Sequence, residues 1–313
     1  MSRVARVALG AAACGAAVAV APLVGGLPAG ELGDVVLWQL RAPRVAAGAL
    51  VGGTLATVGA VYQVTFANPL ATPSTVGTLA GATLGALLAL VVGPRDLALP
   101  VVVAAAFAGA LAIGSAVAAV AAHPRARTDD VLLAGIALSL AASAISTGLE
   151  YGADAQTLFA AAQWSLGRLP QVGWRGVLSA APFLAASCGA ALLLVRALGS
   201  LVAGADVAHA QGVHVARVRA LAVGTGALGV AACVAWCGPI AFVGLIVPHL
   251  VRLASGSAAP AVVVPLSLPF GAAFLVVCDV LARTLLPGRD LPVGVLTAAL
   301  GAPALLALLV RRR

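Results

Sequence analysis

Residues 98–122 read ALPVVVAAAFAGALAIGSAVAAVAA, a stretch without a single charged side chain. A membrane-spanning α-helix needs about 20 consecutive apolar residues, so this stretch is long enough to cross a bilayer. Similar stretches recur along the whole chain, which is 62% hydrophobic and 9% charged. A water-soluble domain needs far more charge to cover its surface. The sequence therefore predicts an all-α polytopic membrane protein and excludes a soluble globular domain.

Ten such apolar segments follow one another along the chain, of which the eighth is short. The first follows Arg3 and Arg6 and resembles a signal peptide, but it is long enough to span the membrane, so we expect a retained first helix. An even number of spans places both termini on the same side of the membrane. The predicted segments are 4–24, 44–66, 72–93, 98–122, 130–151, 176–198, 217–237, 240–254, 261–286 and 292–310.

The basic residues support a topology with cytoplasmic termini. All 18 are arginines, placed singly or in short groups between apolar segments. With both termini inside, eleven of the 18 arginines fall on the cytoplasmic side and seven outside, in agreement with the positive-inside rule. The arginines form no basic face with interleaved aromatic residues, so nucleic-acid binding is not indicated.

The five cysteines are odd in number and lie inside apolar segments, so they predict no disulfide framework. Cys233 and Cys237 would share one helix face. A redox or metal pair is one interpretation, and small thiols packed in a membrane helix is the better one. His209 and His214 are too isolated to argue for a metal site.

Small residues and prolines indicate where helices approach each other and where they break. The pairs Gly48/Gly52, Gly77/Gly81 and Gly81/Gly85 have the spacing that lets helix backbones pack closely in a membrane. Prolines interrupt the segments 68–73 and 238–249. Broken backbone in a membrane is tolerated only where it faces protein or a wet cavity, so both segments are candidate linings of a pathway.

The two halves of the chain also resemble each other weakly. An arginine-led, glycine-rich helix runs from Arg44 to a break at Asn68-Pro69-Leu70. A second runs from Arg217 to a break at Pro248-His249-Leu250. Internal repeats of this kind are typical of transporters.

Four motifs together resemble the FecCD family of permeases, the membrane subunits of ABC importers for ferric siderophores, haem and vitamin B12. The resemblance runs from about residue 35 to the C-terminus without large gaps. The motifs are Arg41-Ala-Pro-Arg44 leading to Gln63 and Asn68-Pro69-Leu70-Ala71; Leu133-Ala-Gly-Ile-Ala137; Gly238-Pro-Ile-Ala-Phe-Val-Gly-Leu-Ile-Val-Pro-His249; and Leu291-Pro-Val-Gly-Val-Leu-Thr-Ala-Ala-Leu-Gly-Ala-Pro303.

The resemblance implies the type II ABC importer permease fold, with residues 1–313 as one transmembrane domain of ten helices in a bacterial inner membrane. It implies a second permease copy, identical or related, two ATPase subunits below and a substrate-binding protein above. ATP and Mg²⁺ would bind the ATPase, and no cofactor would bind this chain. An external loop or re-entrant region is expected at about 152–175, with a short helix near the pathway mouth. The implied cargo is a ferric siderophore, with haem or vitamin B12 as the alternative.

The family docks its binding protein through outward-facing arginines. By position, Arg41 and Arg44 match these arginines, and so does Arg283 near the end of the ninth predicted helix. Exposed charges add little to stability but steer and orient an encounter. The alternative is that they are interfacial anchors whose side chains reach the lipid headgroups. Asp279, four residues before Arg283, is placed to hold that arginine.

The loop at about 196–216 resembles the cytoplasmic segment that couples these permeases to the ATPase. Its sequence predicts two short helices broken at Gly212, a rigid knob for a cleft in the ATPase. Many relatives carry Leu where this chain has Gln211, and a plain amphipathic loop is the alternative. The expected coupling residues are Gly204, Asp206, Ala208, His209 and Gly212.

By resemblance to the vitamin B12 permeases of the family, two constrictions form a cytoplasmic gate. Asn68 and Leu70 form one, and Thr128 with Asp129, before the fifth predicted helix, form the other. Those permeases have Ser where this chain has Asp129. The alternative is that Asp129 caps the helix together with Asp130.

Several chemical signatures are absent from the sequence. It has no Gly-x-x-x-x-Gly-Lys-Ser/Thr loop, so ATP hydrolysis must come from another chain. It has no paired catalytic carboxylates, His-Glu-x-x-His motif or nucleophile elbow, which argues against an intramembrane enzyme. A secondary transporter driven by an ion gradient is the rival of another class, although few ionisable groups are available for a proton relay.

Overall fold

The computed structural model describes residues 3–25, 30–93, 98–169, 173–286 and 290–310, and this part of the chain consists of helices joined by turns without a β-strand. The helices are α1 Arg3–Val20, α2 Glu31–Val35, α3 Ala42–Thr65, α4 Thr78–Val92, α5 Leu99–Ala122, α6 Thr128–Tyr151, α7 Ala155–Ser165, α8 Gly173–Val202, α9 Ala205–Ala210, α10 Val215–Cys237, α11 Val243–Ser255, α12 Pro260–Thr284 and α13 Val293–Val310.

The ten predicted segments correspond to ten of these helices. By length and composition, 6 helical stretches can cross a membrane, and four shorter apolar helices accompany them. The three remaining elements, α2, α7 and α9, are short, and they lie in the connections between the apolar segments. The prediction of an all-α polytopic fold is therefore confirmed.

Helix α3 lies at the centre of the bundle, packed against α8, α10, α11 and α12. Helix α10 is the second central helix and also contacts α5. In contrast, α5, α6 and α8 leave most of their apolar side chains uncovered within one chain. A membrane protein exposes such faces to lipid or to another subunit.

Glycines make the central contacts possible because a side chain would collide with the neighbouring backbone. A Cβ added at Gly52 would lie 2.3 Å from the Gly271 carbonyl oxygen, at the crossing of α3 and α12. At Gly81 it would lie 2.4 Å from the Gly109 carbonyl oxygen, between α4 and α5. The small-residue spacing at these two positions therefore marks real helix crossings.

Helix α3 does not begin where its apolar segment begins. Helix α2 and a π-helical turn over Val36–Arg41 lead into it as one continuous helix. Pro43 has no N–H, and its ring would clash with the carbonyl group four residues earlier. The wider turn avoids this clash, and the Ala42 N–H donates to the Leu37 carbonyl oxygen, five residues back.

Successive helices alternate in direction and define two ends of the bundle. The arginine end holds the start of α3, the end of α12 and helix α7. The opposite end, called here the α9 end, holds the connection from α3 to α4, the start of α6 and helix α9.

Candidate functional site

An ion-pair network lies at the arginine end. The Arg44 Nε donates to Asp279 Oδ1 at 2.9 Å, and its Nη1 donates to Asp290 Oδ2 at 2.6 Å. The second oxygen of Asp279 accepts from Arg283 Nε at 3.1 Å, which confirms the predicted contact within α12. Asp279 is 1% exposed and Arg44 is 7% exposed. The network therefore ties α3 to α12 and to the chain leading into α13.

The predicted docking arginines are more buried than the sequence suggested. Arg44 was expected to face outward, but its guanidinium group lies inside the network. Arg41 is half-buried, and its Nη1 donates to the Val24 and Gly25 carbonyl oxygens, each at 3.2 Å. Arg41, Arg44, Arg283 and Asp290 line one cavity of about 250 Å³. The three predicted arginines are thus brought together, and their docking role stays a prediction.

The two predicted helix breaks meet around a second cavity, also of about 250 Å³. Thr72, Pro73 and Ser74 line it from the first break, and Ile240 and Phe242 line it from the second. Its walls are mostly apolar. Both segments were predicted from the sequence as linings of a pathway, and in the structure they line the same cavity.

Backbone strain marks the same two breaks. In the described ranges, two residues other than glycine have positive φ angles, namely Ala67 at 46° and Phe242 at 68°. Such conformations cost about 1–3 kcal/mol each and persist where the surrounding structure imposes them. Each break carries one of the two residues.

The position of the second break corrects the sequence-based expectation. The break was predicted at Pro248-His249-Leu250, but the chain leaves helical geometry earlier, between α10 and α11, and Pro248 lies inside α11. Proline removes the hydrogen bond to the carbonyl group four residues earlier, which is that of Gly244. The Gln63 Nε2 donates to the Gly244 and Leu245 carbonyl oxygens, each at 3.3 Å. A side chain from α3 thus replaces the missing bond.

Gln63 also receives a hydrogen bond. Arg252 Nη2, from the end of α11, donates to its Oε1 at 2.5 Å. Arg252 Nη1 lies 3.3 Å from His249 Nδ1. Gln63 therefore joins the end of α3 to both ends of α11. No role was predicted for Gln63 from the sequence. Pro248, which leaves the Gly244 carbonyl oxygen without a helical donor, was the signal that another side chain must bind there.

The predicted gate residues lie at the α9 end. Asn68 Oδ1 accepts from the Leu70 N–H at 2.9 Å, which fixes the turn after α3 and leaves Leu70 exposed. Thr128 and Asp129 open helix α6. Asp130, not Asp129, provides the cap, because Asp130 Oδ2 accepts from the Arg127 N–H at 2.8 Å. The Asp129 carboxylate is exposed in the first turn.

The predicted coupling loop forms a short, fixed structure. Helix α9 buries Ala208 against the bundle and exposes Asp206 and His209. The chain leaves α9 through Gly212, whose φ of 80° suits glycine, and the Val213 N–H donates to the Ala208 carbonyl oxygen at 3.0 Å.

Gly204, with a φ of 109°, stands at the other end of α9. Two short helices were expected around Gly212, but after Gly212 the chain enters the long helix α10 at Val215. The knob is therefore one short helix held between two glycines.

Helix α7 extends the arginine end, in the region where a loop or short helix was expected. Asp154 Oδ1 accepts from the Thr157 N–H at 2.8 Å and caps this helix. A cavity of about 370 Å³ lies between α4, α7 and the end of α6. No cluster of three or more metal-ligating side chains occurs in the ranges given above.

Comparisons with known proteins agree on one family. The model of the FecCD transport family matches residues 2–311. The chain is 38% identical to the cobalamin import system permease protein BtuC of Halobacterium salinarum, over 92% of this chain and 76% of that protein. It is 37% identical to the hemin transport system permease protein HmuU of Yersinia pestis, over 88% of this chain and 84% of that protein.

A solved structure resembles this chain over almost its whole length. It is an inward-facing conformation of a metal-chelate type ABC transporter, with a TM-score of 0.87 and 27% sequence identity. The match covers 98% of each chain. The predicted importer-permease fold is therefore confirmed.

Proposed function

This chain belongs to the FecCD transport family, and we propose that it carries an iron chelate across the bacterial inner membrane as the permease subunit of an ATP-driven importer. The observation that carries the proposal is the full-length structural likeness to a metal-chelate type ABC transporter. The chain is a translocation subunit and not the ATPase.

The proposed cargo is a ferric siderophore, with haem or cobalamin as the alternative. Two relatives are named for cobalamin and hemin, and all three cargo classes are bulky metal complexes. The cavity between the two helix breaks has mostly apolar walls. Such walls suit a bulky solute that must pass without being held.

The proposed assembly contains two permease copies, identical or related, two ATPase subunits and one substrate-binding protein. The ATPase would bind ATP and Mg²⁺, and we propose no cofactor for this chain. The exposed side of α9 is the proposed coupling surface. The arginine end would face the binding protein, and Asn68, Leu70, Thr128 and Asp129 would form the cytoplasmic gate. Both termini would then lie in the cytoplasm.

Reconstitution tests this function. The chain is purified with the ATPase that co-isolates with it and is placed in liposomes. Uptake is followed for labelled ferric hydroxamate, ferric catecholate, ferric citrate, haem and cobalamin, each with its binding protein. We expect ATP-dependent accumulation of one cargo that persists when an uncoupler collapses ion gradients. Uptake that follows an ion gradient without an ATPase would overturn the proposal and support a secondary transporter.

A further inference from the structure

A polar cleft runs between α4 and α6 in an otherwise apolar part of the bundle. Its volume is about 410 Å³. Along α6 the polar lining residues are Ser139, Ser143, Ser146, Thr147 and Glu150, and Thr83 of α4 faces them. Positions 139, 143, 146 and 150 lie on one helix face. Polar and ionisable side chains within membrane helices usually face the bundle interior or a water-filled cavity.

One buried hydroxyl group of the cleft has no hydrogen-bond partner in the part of the chain that the structure describes. Ser139 Oγ donates to the Gly135 carbonyl oxygen at 2.7 Å, and Thr147 Oγ1 donates to that of Ser143 at 3.1 Å. Ser146 is only 6% exposed, and its Oγ makes no hydrogen bond to any described part of the chain. A buried hydroxyl group left without a partner costs about 1–3 kcal/mol. Water or a solute in the cleft would supply that partner.

Glu150 lies where this cleft meets the cavity beside α7. Both Thr83 and Glu150 line the two spaces, and Leu79 and Ser74 continue the cleft into the cavity between the helix breaks. The three spaces thus share walls along α4. Glu150 is half-buried, and in the ranges that the structure describes it is the one ionisable residue lining any of the three.

We propose that Glu150 selects cargo by charge, so that the pathway favours a chelate without net negative charge. This inference rests on the proposed function. A single carboxylate between low-dielectric walls focuses its potential into the cleft and repels an anion. The hydroxyl groups of Ser143, Ser146 and Thr147 lie within one to two turns of Glu150 and provide hydrogen bonds to a neutral, polar chelate. The cargo class is therefore a neutral or cationic metal complex with peripheral donors and acceptors.

Thiol labelling measures the electrostatic potential that Glu150 creates in the cleft, and it does not require transport. A Ser143→Cys variant of the reconstituted permease is treated with a cationic trimethylammonium and an anionic sulfonate methanethiosulfonate reagent. Labelling at residue 143 is quantified by peptide mass spectrometry, so the five native cysteines do not interfere. Adding Glu150→Gln should lower the cation-to-anion ratio of labelling rates by about threefold or more.

Glu31→Gln is the matched control, because Glu31 is an exposed acid on α2 that lines none of the three spaces. It should leave the ratio unchanged. If the cation-to-anion ratio of labelling rates at residue 143 were the same with Glu150 and with Glu150→Gln, the proposal would be overturned. Failure of both reagents to label residue 143 would also overturn it, because the cleft would then be dry.

The uptake panel tests the cargo class separately. Wild-type complex is expected to accumulate neutral cobalamin or an uncharged or cationic ferric hydroxamate. Accumulation of the ferric catecholate, ferric citrate or haem, all of which carry negative charge, would overturn the charge selection and leave the importer function intact. Absence of ATP-driven uptake would instead remove the proposed function, whatever the labelling ratio shows.

Discussion

The Asp279 carboxylate holds two arginines inside the bundle, one on α3 and one on its own helix. Replacing Asp279 with Asn removes the negative charge that pairs with the buried Arg44 and the partly buried Arg283. Removing one partner of a buried ion pair typically costs about 3–5 kcal/mol. We therefore expect a clear fall in the thermal unfolding temperature of the detergent-solubilised protein. Size-exclusion chromatography after heating to a series of temperatures measures it.

Asp290→Asn provides the matched control at the residue scale. Asp290 also pairs with Arg44, but its side chain is 55% exposed. Arg44 keeps its buried partner Asp279 in this variant, and contacts of an exposed carboxylate contribute little, so the variant should unfold close to the wild-type temperature. Equal losses for the two variants would show that burial does not set the importance of the Asp279 contact.

At the scale of single helices, the hydrogen bond from Gln63 to the first turn of α11 can be tested together with Pro248. Gln63→Ala leaves the Gly244 carbonyl oxygen without its partner, which should cost about 1–3 kcal/mol. Pro248→Ala restores an N–H that reaches the same carbonyl oxygen within the helix. In the Pro248→Ala background, Gln63→Ala should therefore cost less. Thermal unfolding of the four proteins of this double-mutant cycle measures the coupling.

Arg252 must be separated from this effect because it also bonds to Gln63. Gln63→Glu in both backgrounds serves as the control, since it keeps the acceptor for Arg252 and removes the Nε2 donor. It should show the same dependence on Pro248 as Gln63→Ala does. Additive effects in both cycles would mean that Gln63 does not replace the hydrogen bond lost at Pro248.

The sequence predicted best those features that depend on local composition, namely where the apolar helices lie along the chain. Apolar length alone located the ten long or apolar helices, and the glycine spacing at Gly52 and Gly81 marked true crossings. Composition does not fix how each helix is rotated. The buried ion pair of Arg44 depends on Asp279, 235 residues along the chain, and the place of Glu150 depends on α4 and α7. Such contacts arise only when the bundle is assembled, so they had no local signal.

In the whole molecule, the two ends of the bundle present different kinds of surface. The arginine end carries a charge network that is mostly buried, with Arg41 at its edge. The α9 end carries a short helix set between Gly204 and Gly212. Between them, the cavity at the helix breaks joins the cleft that leads past Glu150. In the proposed importer, a binding protein would act at the first end and an ATPase at the second.

Docking of the binding protein is best tested at Arg41, because reversing the charge of Arg44 or Arg283 would disrupt the buried ion-pair network. Arg41→Glu should weaken capture of the cargo-loaded binding protein by roughly tenfold at low salt and make capture less sensitive to added salt, since charges that steer an encounter are screened. Surface-immobilised complex and a salt series measure both effects. Arg175→Glu, an exposed arginine at the start of α8, is the control for net charge at the same end. Equal weakening by both variants would indicate a general charge effect, and unchanged capture with Arg41→Glu would remove Arg41 from the docking surface.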